Sequence, residues 1–250
     1  TYGGIVIHKK TKLSDFISIA KSVFEYLNAE QFQKINFKEI PHIYTQIPSD
    51  ELQYLMFLMQ GNLVRRDVLS VLDLSNNFAF SRDRKNGIKR GFKNDLVVKE
   101  ESNFESFWNE ILIPNLEAKH QAKPVHSLDE IQYLYSKFPK NIRQFNVYQN
   151  DKIVAGTIVF DTDLVAHSQY ISGNSDKNEL GSLDFLHDYL ISNVFKDKKY
   201  FDFGISNENQ GKNINEGLLY WKESFGARSI TQDFYEVNIE NHNLLDNVLL

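Results

Sequence analysis

The sequence contains no cysteine among its 250 residues. This absence excludes disulfide bonds, a thiolate nucleophile and cysteine-based metal sites, and it suits the reducing cytoplasm, where we expect the protein to work. Long apolar runs are missing too, because the longest candidates are strand-length segments such as IVAGTIVF, well short of the roughly 20 residues that cross a bilayer. We therefore expect no membrane span.

Positive charge is not in excess either, since 28 lysine and arginine residues face 33 aspartate and glutamate residues and leave a formal net charge of −5. A global field favouring long nucleic acid is therefore absent, while a local basic patch stays open. The seven histidines are dispersed without HExxH or H-x₃-H spacing, so we predict no metal site. The sequence also lacks a P-loop and a dinucleotide fingerprint.

What the chain does have is material for a hydrophobic core. Aromatic residues make up 13% of the sequence and charged residues only 24%. This composition predicts a well-packed globular body and argues against disorder. The length allows one large domain or two of moderate size.

Residues 165–235 predict the order strand, helix, strand, helix, strand. The first two strands, AHSQYIS and YFDFGIS, are joined by a helical crossover. Open α/β sheets bind ligands at the C-terminal ends of strands joined in this way. The residues at or near these strand ends are therefore candidates for a binding site: His167, Gln169, Tyr170, Ser172, Asp202, Gly204 and Ser206.

Within this segment, YFDFGIS followed by GLLYWKESFGA resembles the signature of FemAB/FemX-like transferases, which have the GNAT (acyl-CoA N-acyltransferase) fold. The spacing of Trp221, Lys222, Phe225 and Gly226 is its most specific part. The resemblance covers roughly the second half of the chain. It implies an α/β (α+β) fold of tandem GNAT-like domains, each with a mixed central sheet and flanking helices. It also implies transfer of an acyl or aminoacyl group from acyl-CoA or aminoacyl-tRNA to an amine.

The first third of the chain repeats the element order of the last third at an offset of roughly 165 residues. In this comparison YGGIVI, the helix over 13–27 and INFKEIPHIY correspond to HSQYIS, the helix over 181–195 and YFDFGIS. We therefore expect residues 1–77 to be the C-terminal part of a first GNAT-like domain and residues 78–250 to be a complete second one. A full-length relative would then have roughly 70 or more residues upstream.

The second copy is predicted to begin with a basic helix, RDRKNGIKRGFKN, and a later helix, FESFWNEILIPNLEAKH. Ser127 and Glu130 have the spacing of a capping box at the start of a further helix. The runs IRQFNVYQ and KIVAGTIVFDT predict a hairpin. An antiparallel start before the β-α-β-α-β end is what the GNAT resemblance requires.

Lys222 is the first candidate for chemistry, because it lies on or beside the apolar stripe of its predicted helix. By resemblance, the corresponding lysine of FemX-like proteins lies near the reacting groups, where it could stabilise negative charge or contact a phosphate. The alternative is a lysine whose stem packs while its amine reaches water. The resemblance also implies an oxyanion donor on the backbone of residues 169–171 and a substrate contact at Phe225.

His167 and Asp202 are the candidates for proton transfer. Strand alternation puts His167 and Gln169 on one face and Tyr170 and Ser172 on the other, and either face could meet the cleft. A hydrogen-bonded structural role is the alternative for His167, and a turn or helix cap is the alternative for Asp202.

Tyr235, on the last predicted strand, could act as a general acid toward the leaving group, as tyrosines do in some GNAT enzymes, or pack in the core. Ser206 and Asn207 begin the polar loop SNENQGKNIN. This loop either lines an acceptor site or simply turns the chain.

Binding of CoA by GNAT enzymes depends on an R/Q-x-x-G-x-G/A run, whose backbone N–H groups hold the pyrophosphate at the start of the crossover helix. Here Gly181 is present, but Asn178 replaces the Arg or Gln, Leu183 replaces the small residue, and Glu179 adds negative charge. The run departs from the CoA pattern and agrees better with FemAB-like members, which use aminoacyl-tRNA.

One face of the basic helix carries Arg82, Lys85, Lys89 and Lys93, with Arg90 beside it. Such a face either binds phosphates, of a tRNA or a nucleotide-linked acceptor, or is simply solvated. The inserted helical arm that some FemAB enzymes use for tRNA has no counterpart.

The acceptor is left open by the resemblance. Peptidoglycan precursors, polyamines, sugar amines and protein lysines all present an amine, as a small molecule or a peptide. A different class of function is a non-catalytic ligand-binding module that retains the GNAT fold.

Overall fold

A computed structural model describes residues 3–121 and 123–249, with Lys119 and His120 described in their backbone only. The chain forms two compact units, each built from separate stretches of sequence. The first comprises the residues up to Leu69, Ile205–Asn215, and those from Ile230 onward, and the second comprises Ser70–Gly204 and Glu216–Ser229. The predicted boundary between two GNAT-like domains, at residues 77 and 78, concerns the duplication and not these compact units. It stays a prediction.

The first unit contains helices, strands and two 3₁₀ segments. Its helices and strands are α1 (Leu13–Ala29), β1 (Lys34–Lys38), α2 (Glu51–Leu58), most of β2 (Asn62–Asp73), the hairpin strands β8 (Asn207–Glu208) and β9 (Asn213–Ile214), and most of β10 (Arg228–Asn238). The 3₁₀ segments are His42–Tyr44 and Ile239–Leu245.

The second unit contains six helices, five strands and two π-helical segments among its described residues. The helices are α3 (Arg82–Lys93), α4 (Ile113–His120), α5 (Leu128–Lys137), α6 (Lys177–Leu180), α7 (Ser182–Tyr189) and α8 (Glu216–Glu223). The strands are β3 (Val97–Glu101), β4 (Ile142–Gln149), β5 (Lys152–Asp161), β6 (Val165–Gly173) and β7 (Tyr200–Ile205). The π-helical segments are Phe107–Leu112, which precedes α4, and Leu190–Val194, which extends α7.

The strands pair mainly in antiparallel fashion. In the first unit the order is β1-β10-β2, and in the second it is β2-β7-β6-β5-β4-β3, with β2 contributing to both. Strand β10, the last in sequence, pairs antiparallel with β1, from Lys34 opposite Asn238 to Lys38 opposite Phe234. Strands β6 and β7 are parallel, as a helical crossover requires. The chain is therefore a mixed α/β protein with flanking helices, as the sequence predicts.

Each unit has its own apolar core. In the first unit, α1 and α2 cover Phe37 of β1 and Val237 of β10. In the second unit, α7 lies against β7 through Leu186 and Phe203, while the Phe107–Leu112 segment covers the β5–β6 hairpin on a separate cluster. Burial of these clusters is the main favourable contribution to folding.

Several local predictions are confirmed. Ser127 and Glu130 form the capping box at the start of α5. The β4–β5 hairpin turns at Asn150 and Asp151, which both have positive φ, a conformation that short polar side chains tolerate. The order α1-β1-α2-β2 matches α7-β7-α8-β10 once the short strands β8 and β9 are set aside, and the duplication itself stays a prediction.

One expected strand is absent. Of YGGIVI, the described residues 3–7 do not form a regular strand, although the Gly3 carbonyl accepts a hydrogen bond from the Lys38 N–H. Tyr2 lies outside the described residues. In the parts of the chain that the structure describes, no helix is long and apolar enough to cross a membrane.

Candidate functional site

The site lies where strands β6 and β7 separate. Their parallel pairing covers only three residue pairs and ends at His167 opposite Asp202, although β6 continues to Gly173. Gly204 follows with φ of +72°, and a Cβ there would lie 3.4 Å from His167 Cε1. The contact would be an ordinary one, so glycine is favoured here by the left-handed backbone.

His167 and Asp202, the two predicted proton-transfer residues, contact each other. His167 Nδ1 lies 2.9 Å from Asp202 Oδ2, and Asp202 is fully buried while the His167 side chain is 13% exposed. Asp202 Oδ1 accepts a hydrogen bond of 2.7 Å from the Gly204 N–H. An ionised carboxylate only accepts, so it pairs with a proton on Nδ1 and leaves Nε2 as the other ring nitrogen.

The second ring nitrogen of His167 faces Gln169. His167 Nε2 and Gln169 Oε1 are 3.2 Å apart. Gln169 is therefore placed to hold the imidazole.

Lys222 lies inside the protein. It is 2% exposed, and its Nζ donates a hydrogen bond of 3.0 Å to the Gly204 carbonyl. Burial lowers the pKa of Lys222 to about 7, against a smaller opposing effect of the Asp202 carboxylate. Lys222 is therefore not a lysine whose amine reaches water, and close to neutral pH it exists in both charged and neutral forms.

Sequence reasoning missed His187, a fully buried histidine of α7. Its Nδ1 lies 2.8 Å from the Leu183 carbonyl, and its ring packs between Phe203 and Trp221. Burial lowers the pKa of His187 to about 4, and nearby Lys222 acts in the same direction. His187 is therefore neutral at physiological pH. In the sequence, its position in an aromatic-rich helix did not distinguish it from a residue of the hydrophobic core.

Tyr170 and Ser172 project from the other face of β6. The Tyr170 hydroxyl is 2.6 Å from His126 Nδ1, and its ring contacts Trp108 edge-on. Ser172 is 2% exposed, and its hydroxyl reaches the Ile111 carbonyl at 3.4 Å. Both side chains therefore connect β6 to residues of the 107–127 segment. These are structural contacts, and the predicted binding roles of Tyr170 and Ser172 stay predictions.

Phe225 and Gly181 also occupy packed positions. Phe225 is fully buried beside Phe203 and Trp221. Gly181, just before α7, has φ of +69°, and a Cβ there would lie 2.1 Å from the Gly87 carbonyl oxygen of α3. Helix α3 thus closes on the start of the crossover helix, where GNAT enzymes hold a pyrophosphate.

The first turn of α7 carries an internal carboxylate. Asp184 is 5% exposed and accepts hydrogen bonds from Arg84 Nη1 and from Trp221 Nε1, the latter at 2.8 Å. A negative group near a helix N-terminus is favourable, and here the protein supplies it. The i, i+4 spacing of Gly87 and Gly91 in α3, which allows this close packing, was the sequence signal for it.

Three predicted residues lie in the first unit. Asn207 holds strand β2, because its Nδ2 donates to Asp67 Oδ1 at 2.9 Å and its Oδ1 accepts from the Val68 N–H at 2.7 Å. Ser206 is buried and pairs through its backbone with Val68.

Tyr235 of the first unit donates to Asp233 Oδ2 at 3.2 Å. Burial raises the pKa of the Tyr235 hydroxyl, and the carboxylate of Asp233 raises it further. The structure thus gathers His167, Gln169, Asp202, Gly204 and Lys222 in one unit, and Ser206, Asn207 and Tyr235 in the other. Among the described residues, no group of three or more histidines and carboxylates could hold a metal ion.

Comparison with solved structures identifies the fold. FemX superposes over 99% of this chain and 82% of its own, with a TM-score of 0.70 and 10% identity. The C-terminal domain of a putative lysylphosphatidylglycerol synthetase from Agrobacterium fabrum covers 89% of this chain and 73% of its own, with a TM-score of 0.60 and 13% identity. A tandem GNAT protein from the clavulanic acid biosynthesis pathway covers 94% and 73%, with a TM-score of 0.50 and 10% identity.

No protein-family model matches the sequence, and no curated protein matches it significantly. The structural similarity therefore establishes the fold, which is the FemX-like GNAT fold that the sequence predicts. The neighbours named above are FemX, a domain of a putative lysylphosphatidylglycerol synthetase and a tandem GNAT protein, and for this chain the similarity shows the fold alone.

Proposed function

We propose that this protein is an N-acyl or aminoacyl transferase whose reaction centre consists of His167, Asp202 and Lys222. One observation carries the proposal. The hydrogen bonding of two parallel strands ends at a histidine–aspartate pair, and a buried lysine is bonded to the carbonyl two residues beyond it. A buried ionisable group with a strongly shifted pKa at a strand end is the pattern of a functional site.

Proton transfer is assigned to His167. A neutral amine acceptor loses one proton as its lone pair attacks a carbonyl carbon, and His167 Nε2, where the Gln169 side chain now lies, is the ring nitrogen that the pairing with Asp202 leaves to take that proton. Asp202 fixes the tautomer and stabilises the imidazolium that forms. The Gly204 N–H holds the other oxygen of Asp202, which keeps this carboxylate oriented.

Charge stabilisation is assigned to Lys222 and to the backbone of residues 169–171. Attack of the amine nitrogen on the carbonyl carbon forms the C–N bond and places negative charge on the carbonyl oxygen. Donors aimed at this oxygen stabilise it strongly in a water-excluded site. When the intermediate collapses, the bond to the carrier oxygen or sulfur breaks, and the imidazolium returns its proton to that leaving group.

Asp202→Asn tests this assignment. The amide keeps an acceptor for the Gly204 N–H but presents its NH₂ group to Nδ1, so the His167 proton moves to Nε2 and the tautomer is wrong for a base. We expect transfer of a labelled acyl or aminoacyl group to an amine to slow by about 10²- to 10⁴-fold. Asp151→Asn changes an exposed carboxylate and should leave the rate unchanged.

Equal rates for Asp202→Asn and wild-type protein would remove the proposed proton path. If neither protein transfers any group from either carrier, the chain instead acts as a ligand-binding module with this fold.

The donor in this proposal is aminoacyl-tRNA in preference to acyl-CoA. The start of α7 is covered by α3 at Gly181 and carries the Asp184 carboxylate, so a pyrophosphate would meet backbone and negative charge there. Helix α3 itself holds six basic residues and one acidic residue. Its Arg82, Lys85, Lys89 and Lys93 are all exposed and form no ion pair within the described part of the chain.

Charge reversal on α3 tests the donor. Because counterion release drives phosphate binding, wild-type protein should bind tRNA with an affinity that falls steeply as salt rises. The variant Lys85→Glu/Lys89→Glu/Lys93→Glu should weaken binding by at least about tenfold and reduce the salt dependence. As a control, Lys9→Glu/Lys10→Glu/Lys12→Glu reverses three charges outside this helix and should bind as wild type does.

Calorimetry with CoA and acetyl-CoA completes this test. We expect no saturable binding to the folded protein, because the pyrophosphate position is closed. Two results together would favour acyl-CoA as the donor instead: micromolar binding of CoA, and tRNA binding that the α3 substitutions do not change.

A further inference from the structure

We infer that Asp184 is a positioning residue, which holds helix α8 through Trp221 so that Lys222 stays inside the protein against the Gly204 carbonyl. The inference rests on the proposed function only for the role of Lys222. The contacts that carry it join three helices of the second unit: Arg84 of α3, Asp184 of α7 and Trp221 of α8. These three residues are called the carboxylate clamp below.

The clamp is built around one buried carboxylate. Asp184 Oδ1 accepts from both Arg84 Nη1 and Trp221 Nε1. The side chains of Arg84 and Asp184 are only 13% and 7% exposed. Hydrogen bonds to a buried charge are stronger than neutral ones, and a buried charge that loses its partners is costly. The indole therefore has one strongly preferred position.

Close packing leaves the carboxylate no room to move. A Cβ at Gly87 of α3 would lie 1.7 Å from Asp184 Oδ2, and one at Gly91 would lie 2.5 Å from Phe185 Cβ. Helix α3 can approach α7 this closely only because both positions lack a side chain. The second oxygen of Asp184 is thus confined against the α3 backbone.

Helix α8 is short and mostly exposed at its start, so its position depends on contacts at its end. It has only eight residues, Glu216–Glu223, and Glu216, Gly217, Leu218 and Tyr220 are exposed. A helix this short is not stable alone. Its buried contacts are at the C-terminal end, where the Trp221 ring packs edge-on against His187 at 4.9 Å and Phe225 at 5.2 Å.

Trp221 and Lys222 are consecutive, so rotation of the helix moves both. With the indole N–H fixed on Asp184, the next side chain points to the Gly204 carbonyl, 3.0 Å from Nζ. The Asp202 carboxylate of β7 acts on the pKa of the Lys222 amine, and Lys222 in turn lowers the pKa of His187 of α7. The clamp substitutions below leave both in place, so they act on Lys222 through its position.

A titration of the Lys222 amine by nitrogen NMR tests the inference. Its signal is identified by its absence from a Lys222→Met variant. In wild-type protein the amine should titrate near pH 7, as burial at its present position dictates. In Asp184→Ala and in Trp221→Phe, which removes the indole donor and leaves a smaller aromatic ring, hydration of the amine should raise the midpoint by about one unit or more.

Tyr220→Phe is the matched control. It removes another hydrogen bond between α8 and α3, the 2.6 Å contact of the Tyr220 hydroxyl with Asp83 Oδ2, which is exposed. The Lys222 midpoint should stay where it is in wild type. If the clamp served only to stabilise the fold, removing it would lower thermal stability without changing the pH midpoint of Lys222 in the folded protein.

The outcomes separate cleanly. An unchanged midpoint in folded Trp221→Phe and Asp184→Ala overturns the inference. If Asp184→Ala does not fold, Trp221→Phe decides alone. The titration reads the amine directly, so an absence of transferase activity would count against the proposed function and leave the clamp standing.

Discussion

At the scale of single residues, the account depends on a lysine that the fold keeps away from water. Burial holds the pKa of Lys222 near 7, whereas the unfolded chain gives it the ordinary value of 10.5. Between pH 7 and 10.5 the unfolded state binds more protons at Lys222 than the folded state does. The free energy of unfolding therefore rises with pH over this range and falls again as the pH is lowered. At about 1.4 kcal/mol per pKa unit, the cost below pH 7 amounts to several kcal/mol.

Lys222→Met should therefore abolish or strongly reduce transfer while raising the thermal midpoint at neutral pH by several degrees, because a methionine is buried without a desolvation penalty. Calorimetric scans at pH 7 and pH 10 measure the effect, and the gain should shrink at the higher pH. The same change at the exposed Lys152 should alter the midpoint little. A Lys222→Met protein less stable than wild type at pH 7 would contradict the buried-charge interpretation.

His187 gives a second pH dependence, with a midpoint near 4 in the folded protein and an ordinary value of 6.5 in the unfolded chain. The unfolded state binds more protons between these values, so stability falls as pH drops from 6.5 towards 4. Denaturant titrations at pH 7 and pH 5 should show this loss, and His187→Phe should reduce it. An equal loss in both proteins would assign it to other groups.

The sequence indicated the residues of the site more readily than their partners. Lys222 followed from its place in the Trp-Lys-x-x-Phe-Gly pattern, and His167 and Asp202 followed from strand ends. Their 2.9 Å contact was not predictable, because it depends on where β6 and β7 stop pairing. The only signal for Asp184 was the i, i+4 spacing of Gly87 and Gly91, since the packing of α3 makes it a buried acceptor.

At the scale of elements, the start of α7 explains why one glycine is required. Gly181 combines a left-handed backbone with direct contact to the α3 backbone. The left-handed backbone disfavours a Cβ, and the 2.1 Å approach to the Gly87 carbonyl oxygen excludes one. The glycine that resembles part of a CoA motif is therefore explained here by helix packing.

Gly181→Ala should lower the free energy of unfolding by about 2–4 kcal/mol, from left-handed strain and overpacking together. A denaturant titration measures the loss. Gly3→Ala is the control, because a Cβ there meets nothing within 4 Å and φ is not in the left-handed range. A loss below about 0.5 kcal/mol at position 181 would mean that α3 yields easily and the pyrophosphate position is open.

Element prediction was best where local chemistry decides the outcome. The capping box of α5 and the β4–β5 turn depend on residues next to one another, so sequence reveals them. The π-helical segments Phe107–Leu112 and Leu190–Val194 were predicted as plain helix, because helical periodicity does not separate i+4 from i+5 bonding over one turn.

At the scale of the whole molecule, charge is unevenly distributed. Helix α3 has a net charge of +5 in a chain of net −5, which leaves −10 for all other residues. Such asymmetry steers a polyanion toward one surface and repels it from the rest. It accords with an RNA carrier for the donor group.

The duplicated order of elements was visible in the sequence, but the composition of the compact units was not. Segments from both halves enter each unit because β10, at the end of the chain, pairs with β1 near its beginning. Long-range strand pairing leaves no local mark, since each strand shows only its own β-forming residues.

The most direct test of the central claim is the pH dependence of kcat/KM for transfer from aminoacyl-tRNA to hydroxylamine, whose nitrogen is uncharged throughout the range used. If charged Lys222 stabilises the oxyanion, kcat/KM for the wild-type protein should fall about tenfold per pH unit above pH 7. Lys222→Arg keeps its charge at all these pH values, so its residual activity should not fall. A wild-type rate that holds steady up to pH 9, or the same profile in both proteins, would contradict the assignment.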